Sequence, residues 1–415
     1  MKNRLYSWLW KSHFIAGIII VPFVLLLSVT GVIYLFKDNY EKDVYESYKT
    51  YEPTGQTISY ESQLKIAQEN WSKHPQAIVL PQAKNQTTQF TSGRFSHKSS
   101  MYIHPSNGSV LGKINVSETD MHKVRKLHGE LLLGSFGTKI VELVASWMFV
   151  LILSGVYLFW PKERGLKGLF TIRVKASKRL FFRDLHTVLG FWFSLLLIVI
   201  LMGGFPWTDV FGSGYKWVQK TTQSGFPTTW QGRGVLSSSH SGQVVTIDKM
   251  LQKAAALNLE GEVSLNLPKS PEGVYTVSNE TTHFSEMKSI HFDQYTGEVI
   301  AQNTWDDIGI MMKSRLWLMA FHQGKFGMWN FVLILVTAVA LTLLSIAAIY
   351  SYLYRPSPSG LKISGSEKGG IAIVPTIIIS ILGILLPLFG ASLIIILIGS
   401  KLFIKRKKYR VAFKA

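Results

Sequence analysis

The chain has 415 residues, no cysteine and a formal net charge of +19 at pH 7. The absence of cysteine excludes disulfides, thiolate zinc sites, iron–sulfur clusters and covalently attached c-type haem. The basic residues gather beside long apolar runs and no nucleic-acid-binding motif accompanies them, so we expect membrane lipid as a partner and no nucleic acid.

The first predicted element is a transmembrane span within residues 1–36. Its apolar run, FIAGIIIVPFVLLLSVTGVIYLF, begins at Phe14. The run is long enough to cross a hydrocarbon core of ~30 Å at about 1.5 Å per residue. The start of the chain is basic, but no small-residue cleavage site follows the run. We therefore interpret it as a retained span and not as a removed signal peptide.

Two further apolar runs flank a short basic connection. The second run ends near Trp160, the third begins near His186, and residues 161–185 carry eight Lys or Arg against two acidic residues. Short loops rich in Lys and Arg stay on the cytoplasmic side of a membrane. This pattern predicts that the connection and both termini are cytoplasmic, and that the two long polar segments lie on the outer side.

The last apolar block is too long for one untilted helix, and Pro387 and Gly390 interrupt it. A hairpin, which either spans twice or is re-entrant, returns the basic tail to the cytoplasm. The predicted ranges are 1–36 (first span), 37–127 (outer module 1), 128–160 (second span), 161–185 (cytoplasmic basic loop), 186–205 (third span), 206–321 (outer module 2), 322–354 (fourth span), 355–369 (cytoplasmic loop), 370–404 (C-terminal helical hairpin) and 405–415 (basic cytoplasmic tail).

The two halves of the chain resemble each other. SHFIAGIIIVPFVLLLSVTG at 12–31 is similar to LHTVLGFWFSLLLIVILMGG at 185–204, and residues 127–165 are similar to residues 321–360. Each outer segment has the pattern of a helix followed by strands. Because both halves have the same topology, we predict an α-helical integral membrane protein with two small extracytoplasmic α+β modules and a pseudo-two-fold axis along the membrane normal.

Four histidines fall at equivalent positions in the two halves. His13 and His186 lie at the cytoplasmic entries of the first and third spans, and His128 and His322 at the outer entries of the second and fourth. One pair on each membrane face fits two haems with two axial histidines each, because a porphyrin is large and apolar. The alternatives are a zinc or copper site, or interfacial histidines that bind no metal.

Other residues near the histidines suit the same cofactor. Five cations are candidates to contact haem propionates, or serve only as interface anchors: Lys11, Arg183, Arg125, Lys126 and Lys325. Four glycines would let a macrocycle approach the backbone, or serve only in helix packing: Gly17, Gly129, Gly190 and Gly324.

The motifs also carry a family resemblance. HFIAG…LLLSVTG, LHGELLLG…LILSGVYLFWP, RDLHTVLG, FHQGKFG and the module endings YIHPSNGSVLG and IHFDQYTGEVIA are similar, in this order, to those of the PepSY-associated transmembrane family. This family includes inner-membrane ferric-siderophore reductases. The resemblance covers nearly the whole chain. It implies PepSY-like outer modules, a place in the bacterial inner membrane and two haem b groups, one held by His13 and His186 and one by His128 and His322.

The resemblance further implies an enzyme, a ferric-chelate (siderophore) reductase for iron uptake. Electrons would come from a cytoplasmic or quinol donor, cross the membrane and reduce an Fe(III) chelate such as a ferric siderophore on the outer side. The sequence shows no Ser-His-Asp, paired-carboxylate or phosphate-loop arrangement, which agrees with a redox conduit. Two alternatives stay open: a non-redox PepSY-type binding or regulatory protein, and a metal-ion transporter that uses the same histidines.

Overall fold

The computed structural model describes residues 2–53, 55–160, 165–238, 243–354 and 373–412. The predicted cytoplasmic loop 355–369 lies outside these residues. The helices and strands are α1 (Lys2–Leu35), α2 (Lys37–Lys49), α3 (Tyr60–Asn70), β1 (Ala77–Val79), β2 (Thr88–Ser92), β3 (Ser99–Ile103), β4 (Val110–Asn115), α4 (Asp120–Glu130), α5 (Gly134–Phe159), α6 (Lys178–Gly204), α7 (Val210–Thr221), α8 (Ile247–Ala256), β5 (Glu262–Asn266), β6 (Val274–Glu280), β7 (Lys288–Asp293), β8 (Val299–Thr304), α9 (Ile310–His322), α10 (Met328–Leu353), α11 (Ile373–Leu385) and α12 (Pro387–Ala412).

Four helical segments among the described residues are long and apolar enough to cross a membrane. They are Tyr6–Leu35, Gly134–Phe159, Lys178–Trp207 and Met328–Leu353, which correspond to α1, α5, α6 and α10. Long runs of Ile, Leu, Val and Phe form helices in a bilayer because a helix pairs all its backbone groups within one segment. The prediction of a multi-pass membrane protein is confirmed.

The chain folds into two compact units. A helical unit comprises residues 1–35, 125–218 and 318–415, and a sheet unit comprises residues 36–124 and 219–317. Within the helical unit, α1 and α6 each contact both α5 and α10, so the four spans form a closed ring. Apolar side chains fill the space between the spans: Ile20, Val24, Val144, Met148 and Leu197.

The second span begins later than the sequence indicates. The helix α4, which carries His128, ends at Glu130, and α5 begins only at Gly134. Leu131 and Leu132 have φ angles of 50° and 59°, a left-handed conformation that ends α4. A Cβ at Gly137 would lie 1.7 Å from the Glu130 carbonyl oxygen, so this turn requires glycine. His128 is therefore on a separate helix from the span.

The third span begins earlier than the sequence indicates. The helix α6 starts at Lys178, inside the range 161–185 assigned to the basic loop. Lys, Arg and Leu are good helix formers, so the helix extends beyond its apolar part. His186 consequently lies about two turns inside α6 and not at its start.

Residues 373–412 at the end of the chain form two helices that meet at Pro387. At one point the backbones of α11 and α12 approach closely, because a Cβ on Gly390 would lie 2.2 Å from the Gly383 carbonyl oxygen. Trp147 of α5 donates from Nε1 to Ser392 Oγ at 3.1 Å and packs edge-on against Phe389. The indole of Trp147 thus joins the C-terminal helices to the spans.

The sheet unit contains one antiparallel sheet of eight strands. The strand order is β4-β3-β2-β1-β5-β6-β7-β8, so two four-stranded meanders meet where β1 pairs with β5. We call this pairing the central seam. Its middle pair, Ile78 and Leu265, is fully buried. The sequence predicts two modules, at residues 37–127 and 206–321. Their strands instead form one shared sheet.

One apolar core lies beneath both meanders. It includes Phe90 and Met101 from the first, Val277 and Ile290 from the second, and Met250 from α8. At ~25 cal/mol per Å² of buried apolar surface, each such side chain stabilises the fold by about 1.5–3 kcal/mol. The shared core makes the two meanders a single cooperative unit.

Two helices of this unit, α3 and α8, cap each other through acidic side chains. The Glu61 carboxylate of α3 accepts a hydrogen bond from the Ile247 backbone N–H at the start of α8. The Asp248 carboxylate of α8 accepts from the Tyr60 N–H at the start of α3, at 3.1 and 3.3 Å. Carboxylates are favoured at helix N-termini because the unpaired N–H groups there carry partial positive charge. We call this arrangement the crossed caps.

Candidate bis-histidine sites

The four predicted histidines lie in the helical unit as two pairs. His13 of α1 and His186 of α6 lie near each other. His128 lies near the end of α4 and His322 is the last residue of α9, and their ring centroids are 6.2 Å apart with the planes at 78°. All four side chains are half-buried. The structure therefore brings together the same partners that the sequence pairs by membrane face.

In the first pair, each ring is held through Nδ1 by a neighbouring helix. His13 Nδ1 lies 2.9 Å from Ser154 Oγ, and that hydroxyl donates its own hydrogen to the Leu151 carbonyl. The Ser154 oxygen therefore accepts from an Nδ1–H. His186 Nδ1 lies 3.1 Å from the Leu344 carbonyl oxygen, which can only accept. Both rings thus carry their proton on Nδ1.

The second pair is held in the same way. His128 Nδ1 lies 3.1 Å from Thr30 Oγ1, whose hydrogen is donated to the Leu26 carbonyl. His322 Nδ1 lies 2.8 Å from the Ile200 carbonyl oxygen. Each Nδ1 is again the donor.

This bonding fixes the tautomer of all four rings. A neutral imidazole with its proton on Nδ1 presents the lone pair of Nε2. Histidines that bind metals almost always donate their other ring N–H to a carbonyl or another oxygen, which sets the ring orientation. In their bonding at Nδ1, all four histidines therefore resemble metal-binding histidines.

Glycines seat three of these rings against neighbouring helices, and the sequence had not singled them out. A Cβ on any of them would crowd the histidine; the contacts are Gly155 to His13 Cε1 at 3.1 Å, Gly31 to His128 Cε1 at 3.5 Å and Gly203 to His322 Cβ at 2.9 Å. These glycines are distant in sequence from the histidines that they contact. The spacing of the repeat points to Gly31 alone among them, because Gly31 follows His13 by the same interval as Gly204 follows His186.

The four glycines singled out by the sequence have different surroundings. A Cβ on Gly17 or Gly129 would meet no atom within 4 Å, whereas one on Gly190 would lie 3.4 Å from Leu344 Cδ1. Gly324 has a φ angle of 71° and serves a turn after α9. Gly17 stands one turn after His13 on the same helix face, so space is open beside that ring.

The spacing of the outer pair fits a shared metal ion between two axial imidazoles. Two metal–nitrogen bonds of about 2 Å, with about 1 Å from each nitrogen to its ring centre, span about 6 Å. The observed centroid separation is 6.2 Å. The residues present therefore fit a bis-histidine haem at this position.

The number of ligands also suits haem better than a bare ion. Across the described ranges from 2 to 412, with their gaps, no group of three or more His, Asp or Glu side chains could hold a metal ion. A structural zinc site uses four protein ligands and a catalytic one uses three. Haem iron needs only two, because the macrocycle supplies the rest.

Two of the candidate propionate cations have acidic partners. Lys126 donates to Glu130 at 2.7 Å, and Arg183 donates to Asp184 at 3.2 Å. Asp184 also receives two bonds, at 2.7 and 2.8 Å, from Arg173. These three cations therefore serve first to neutralise carboxylates.

Glu142, an acidic residue within α5, is also used structurally. Its side chain is buried, and its two carboxylate oxygens accept from the backbone N–H groups of Val210 and Phe211 at 2.8 and 2.9 Å. It thus caps the start of α7. A capping carboxylate with both oxygens occupied is not arranged as a transport site for cations.

Comparison with known proteins places this arrangement in a family. No curated protein sequence matches the chain. The family model described as "PepSY-associated TM region" matches residues 10–355, a range that holds all four spans, the sheet unit and the four histidines. The chain therefore belongs to the PepSY-associated TM family.

Proposed function

We propose that this protein is a transmembrane haem b oxidoreductase that reduces an Fe(III) chelate, such as a ferric siderophore, on the outer side of the bacterial inner membrane. The observation that carries the proposal is the pairing of four histidines, each anchored through Nδ1 with Nε2 left to coordinate a metal. His13 and His186 would hold one haem, and His128 and His322 the other.

An internal duplication supports the pairing of the ligands. The succession of span, two helices, four strands, one helix and span occurs twice along the chain. The surroundings of the rings also correspond, because a Cβ on Gly31 would lie 3.5 Å from His128 Cε1 and one on Gly204 would lie 4.0 Å from His322 Cε1. Gly31 follows His13 by the same interval as Gly204 follows His186. This repetition is expected of two halves related by a pseudo-two-fold axis along the membrane normal, each with a PepSY-like outer module.

The two pairs stand at opposite ends of the spans. Along α1, His13 and Gly31, which contacts His128, are about 27 Å apart at about 1.5 Å per residue, which is close to the thickness of a hydrocarbon core. With the basic loop in the cytoplasm, the His13–His186 pair is cytoplasmic and the His128–His322 pair is outer. The spans therefore hold one pair near each face.

The chain's own residues orient the histidine rings and keep water away from the space between the two pairs. The hydroxyls and carbonyls on Nδ1 hold each ring in one orientation, and the apolar side chains between the spans exclude water and ions from the space between the pairs. Haem b, when bound, exchanges single electrons between its ferric and ferrous states. The outer sheet unit would receive the substrate. Fe(II) is a poorer match than Fe(III) for the hard oxygen donors of a siderophore, so reduction promotes iron release.

The proposal is tested by the absorption spectrum of protein purified in detergent, oxidised and then reduced. We expect a red protein with the spectrum of low-spin haem b at about two haems per chain, which matches two histidine pairs. Colourless protein from haem-replete cells would overturn the proposal. It would favour a non-redox binding or regulatory role, especially if the variant with all four histidines changed to alanine stayed folded.

A further inference from the structure

A cavity of about 560 Å³ lies at the end of the helical unit where α6 begins and α10 ends. Its walls are mainly aromatic. The side chains used below are Lys178, Phe181 and Phe182 of α6, and Tyr350 and Tyr354 at the end of α10. The histidine sites do not account for this cavity.

Three rings in the wall are nearly parallel. Phe182 stacks on Tyr350 with centroids 4.9 Å apart and planes at 21°, and on Tyr354 at 5.9 Å and 9°. Lys178 Nζ stands 5.5 Å from the centre of the Tyr354 ring. Parallel aromatic faces offer a flat surface on which another planar ring can stack. The geometry favours a planar ligand over a bulky one.

The cavity adjoins the inner histidine pair through both of its helices. Phe182 lies one turn before His186 on the same face of α6. On α10, the Leu344 carbonyl that anchors His186 lies less than two turns before Tyr350. A ligand in the cavity would thus rest on the two helices that position one inner ligand.

Tyr352 shows that these aromatics are more than a membrane-interface belt. It is 44% exposed, and Tyr350 and Tyr354 are each 41% exposed, so the three are equally placed for an interface role. Tyr352 packs instead against Phe14 on the other side of α10, at 5.6 Å and 51°. The parallel stack is therefore specific to the cavity.

We propose that this cavity binds the electron donor of the protein, and that the donor is a quinol. The inference rests on the function proposed above. The described lining offers one cation, Lys178, and no carboxylate, which suits the neutral ring of a quinol better than a flavin or nicotinamide nucleotide with its phosphates. The site lies at the ends of two spanning helices, the depth at which the head of a membrane quinol resides.

The reaction balances without another reductant. One quinol loses two electrons and two protons and becomes a quinone. The electrons leave one at a time, so one quinol reduces two Fe(III) chelates to two Fe(II) chelates. The protons pass to water at the mouth of the cavity.

The test measures equilibrium binding of a short-chain ubiquinone analogue, decylubiquinone, to the full chain in lipid nanodiscs by titration calorimetry. The pocket variant is Tyr350→Leu with Tyr354→Leu, and the matched control is Tyr352→Leu on the same helix end. We expect at least a tenfold higher Kd for the pocket variant and a change of less than twofold for the control. A second variant, Tyr350→Phe with Tyr354→Phe, keeps the rings and should bind within threefold of the wild type.

Several results would overturn the inference. They are unchanged binding by the Leu variant, an equal loss in the Tyr352→Leu control, a loss in the Phe variant as large as in the Leu variant, and tighter binding of flavin mononucleotide than of the quinone. Haem spectra and melting temperatures are recorded on each sample. If the protein holds haem but the binding experiment gives one of these overturning results, the quinol site is wrong and the proposed function stands. A protein without haem contradicts the proposed function, and the quinone titration still reports on the cavity.

Discussion

Glu61 and Asp248 each accept a backbone hydrogen bond from the start of the other's helix, and their carboxyl groups are near enough to affect each other's pKa. Burial raises the pKa of Asp248 to about 6, and the neighbouring Glu61 adds to the rise. Burial opposes ionisation of Glu61 too, but bonds from Asp248 and from the Ile247 N–H lower its pKa below the ordinary value. At neutral pH the crossed caps therefore hold two negative charges close together.

The first prediction concerns the pH dependence of unfolding. Because folding raises the pKa of Asp248, its contribution to stability is complete below the ordinary pKa of 3.8 and is lost as the pH rises through about 6. Because folding lowers the pKa of Glu61, its contribution to stability is complete above the ordinary pKa of 4.5 and is lost only at lower pH. We expect Asp248→Asn to melt at or above the wild-type temperature at pH 8, with no such advantage at pH 5. Scanning fluorimetry of the full chain checks this.

The matched control for this prediction is Glu69→Gln, an exposed position on the same helix as Glu61. It should leave the difference in melting temperature between pH 5 and pH 8 unchanged. A lower melting temperature of Asp248→Asn than of the wild type at pH 8 would show that the caps need both charges.

The second prediction separates the two histidine pairs. His13→Ala or His186→Ala should remove one haem and spare the other, and His128→Ala or His322→Ala should remove the second. The reason is that each iron would lose one of its two axial ligands. Haem content by pyridine haemochrome assay, with redox titration of what remains, checks the result. Loss of both haems from every folded single variant would contradict the assignment to two sites.

The third prediction concerns the hydroxyl on His13. Ser154→Ala removes the acceptor of the Nδ1–H and should weaken haem retention at the inner pair about ten- to a hundredfold, as for other losses of such outer-shell partners. Ser146→Ala is the control, because Ser146 is buried on the same helix and bonds only the Glu142 carbonyl. Haem titration into the haem-free protein gives both affinities. Equal affinities in the two variants would mean that the hydroxyl does not position the ligand.

The fourth prediction uses the open space at Gly17. No protein atom would oppose a Cβ there, so Gly17→Leu should fold normally but exclude a macrocycle from His13. We expect the haem of the inner pair to be lost and the haem of the outer pair to remain. Gly399→Leu in α12, which also meets no atom within 4 Å, should keep both haems. A Gly17→Leu protein with two haems would place the macrocycle elsewhere.

Much of the helical unit was predictable from the sequence. The four spans follow from uninterrupted apolar runs, which have few structural alternatives in a membrane. The partners of each histidine follow from the predicted repeat, because a two-fold axis would bring equivalent positions at the same membrane face together. The left-handed Leu131 and Leu132 were not predictable, since leucine seldom adopts that conformation.

Contacts between distant segments could not be predicted from the sequence. The central seam joins Ile78 to Leu265 through backbone bonds, and neither strand carries a local signal for the other. The carbonyls of Leu344 and Ile200 anchor two histidines. Every residue has a backbone carbonyl, so the residue type at these positions does not indicate this contact. The glycines that the sequence indicates lie close to the histidines along the chain, whereas Gly31 and Gly155 contact them from neighbouring helices.

The anchors on the histidines differ between the two halves, and the difference decides which of these anchors a mutation can remove. His13 and His128, both from the first half, bond hydroxyls, whereas His186 and His322 bond backbone carbonyls. Each pair therefore combines one histidine whose anchor can be removed by a side-chain substitution with one whose anchor belongs to the main chain and survives any substitution there.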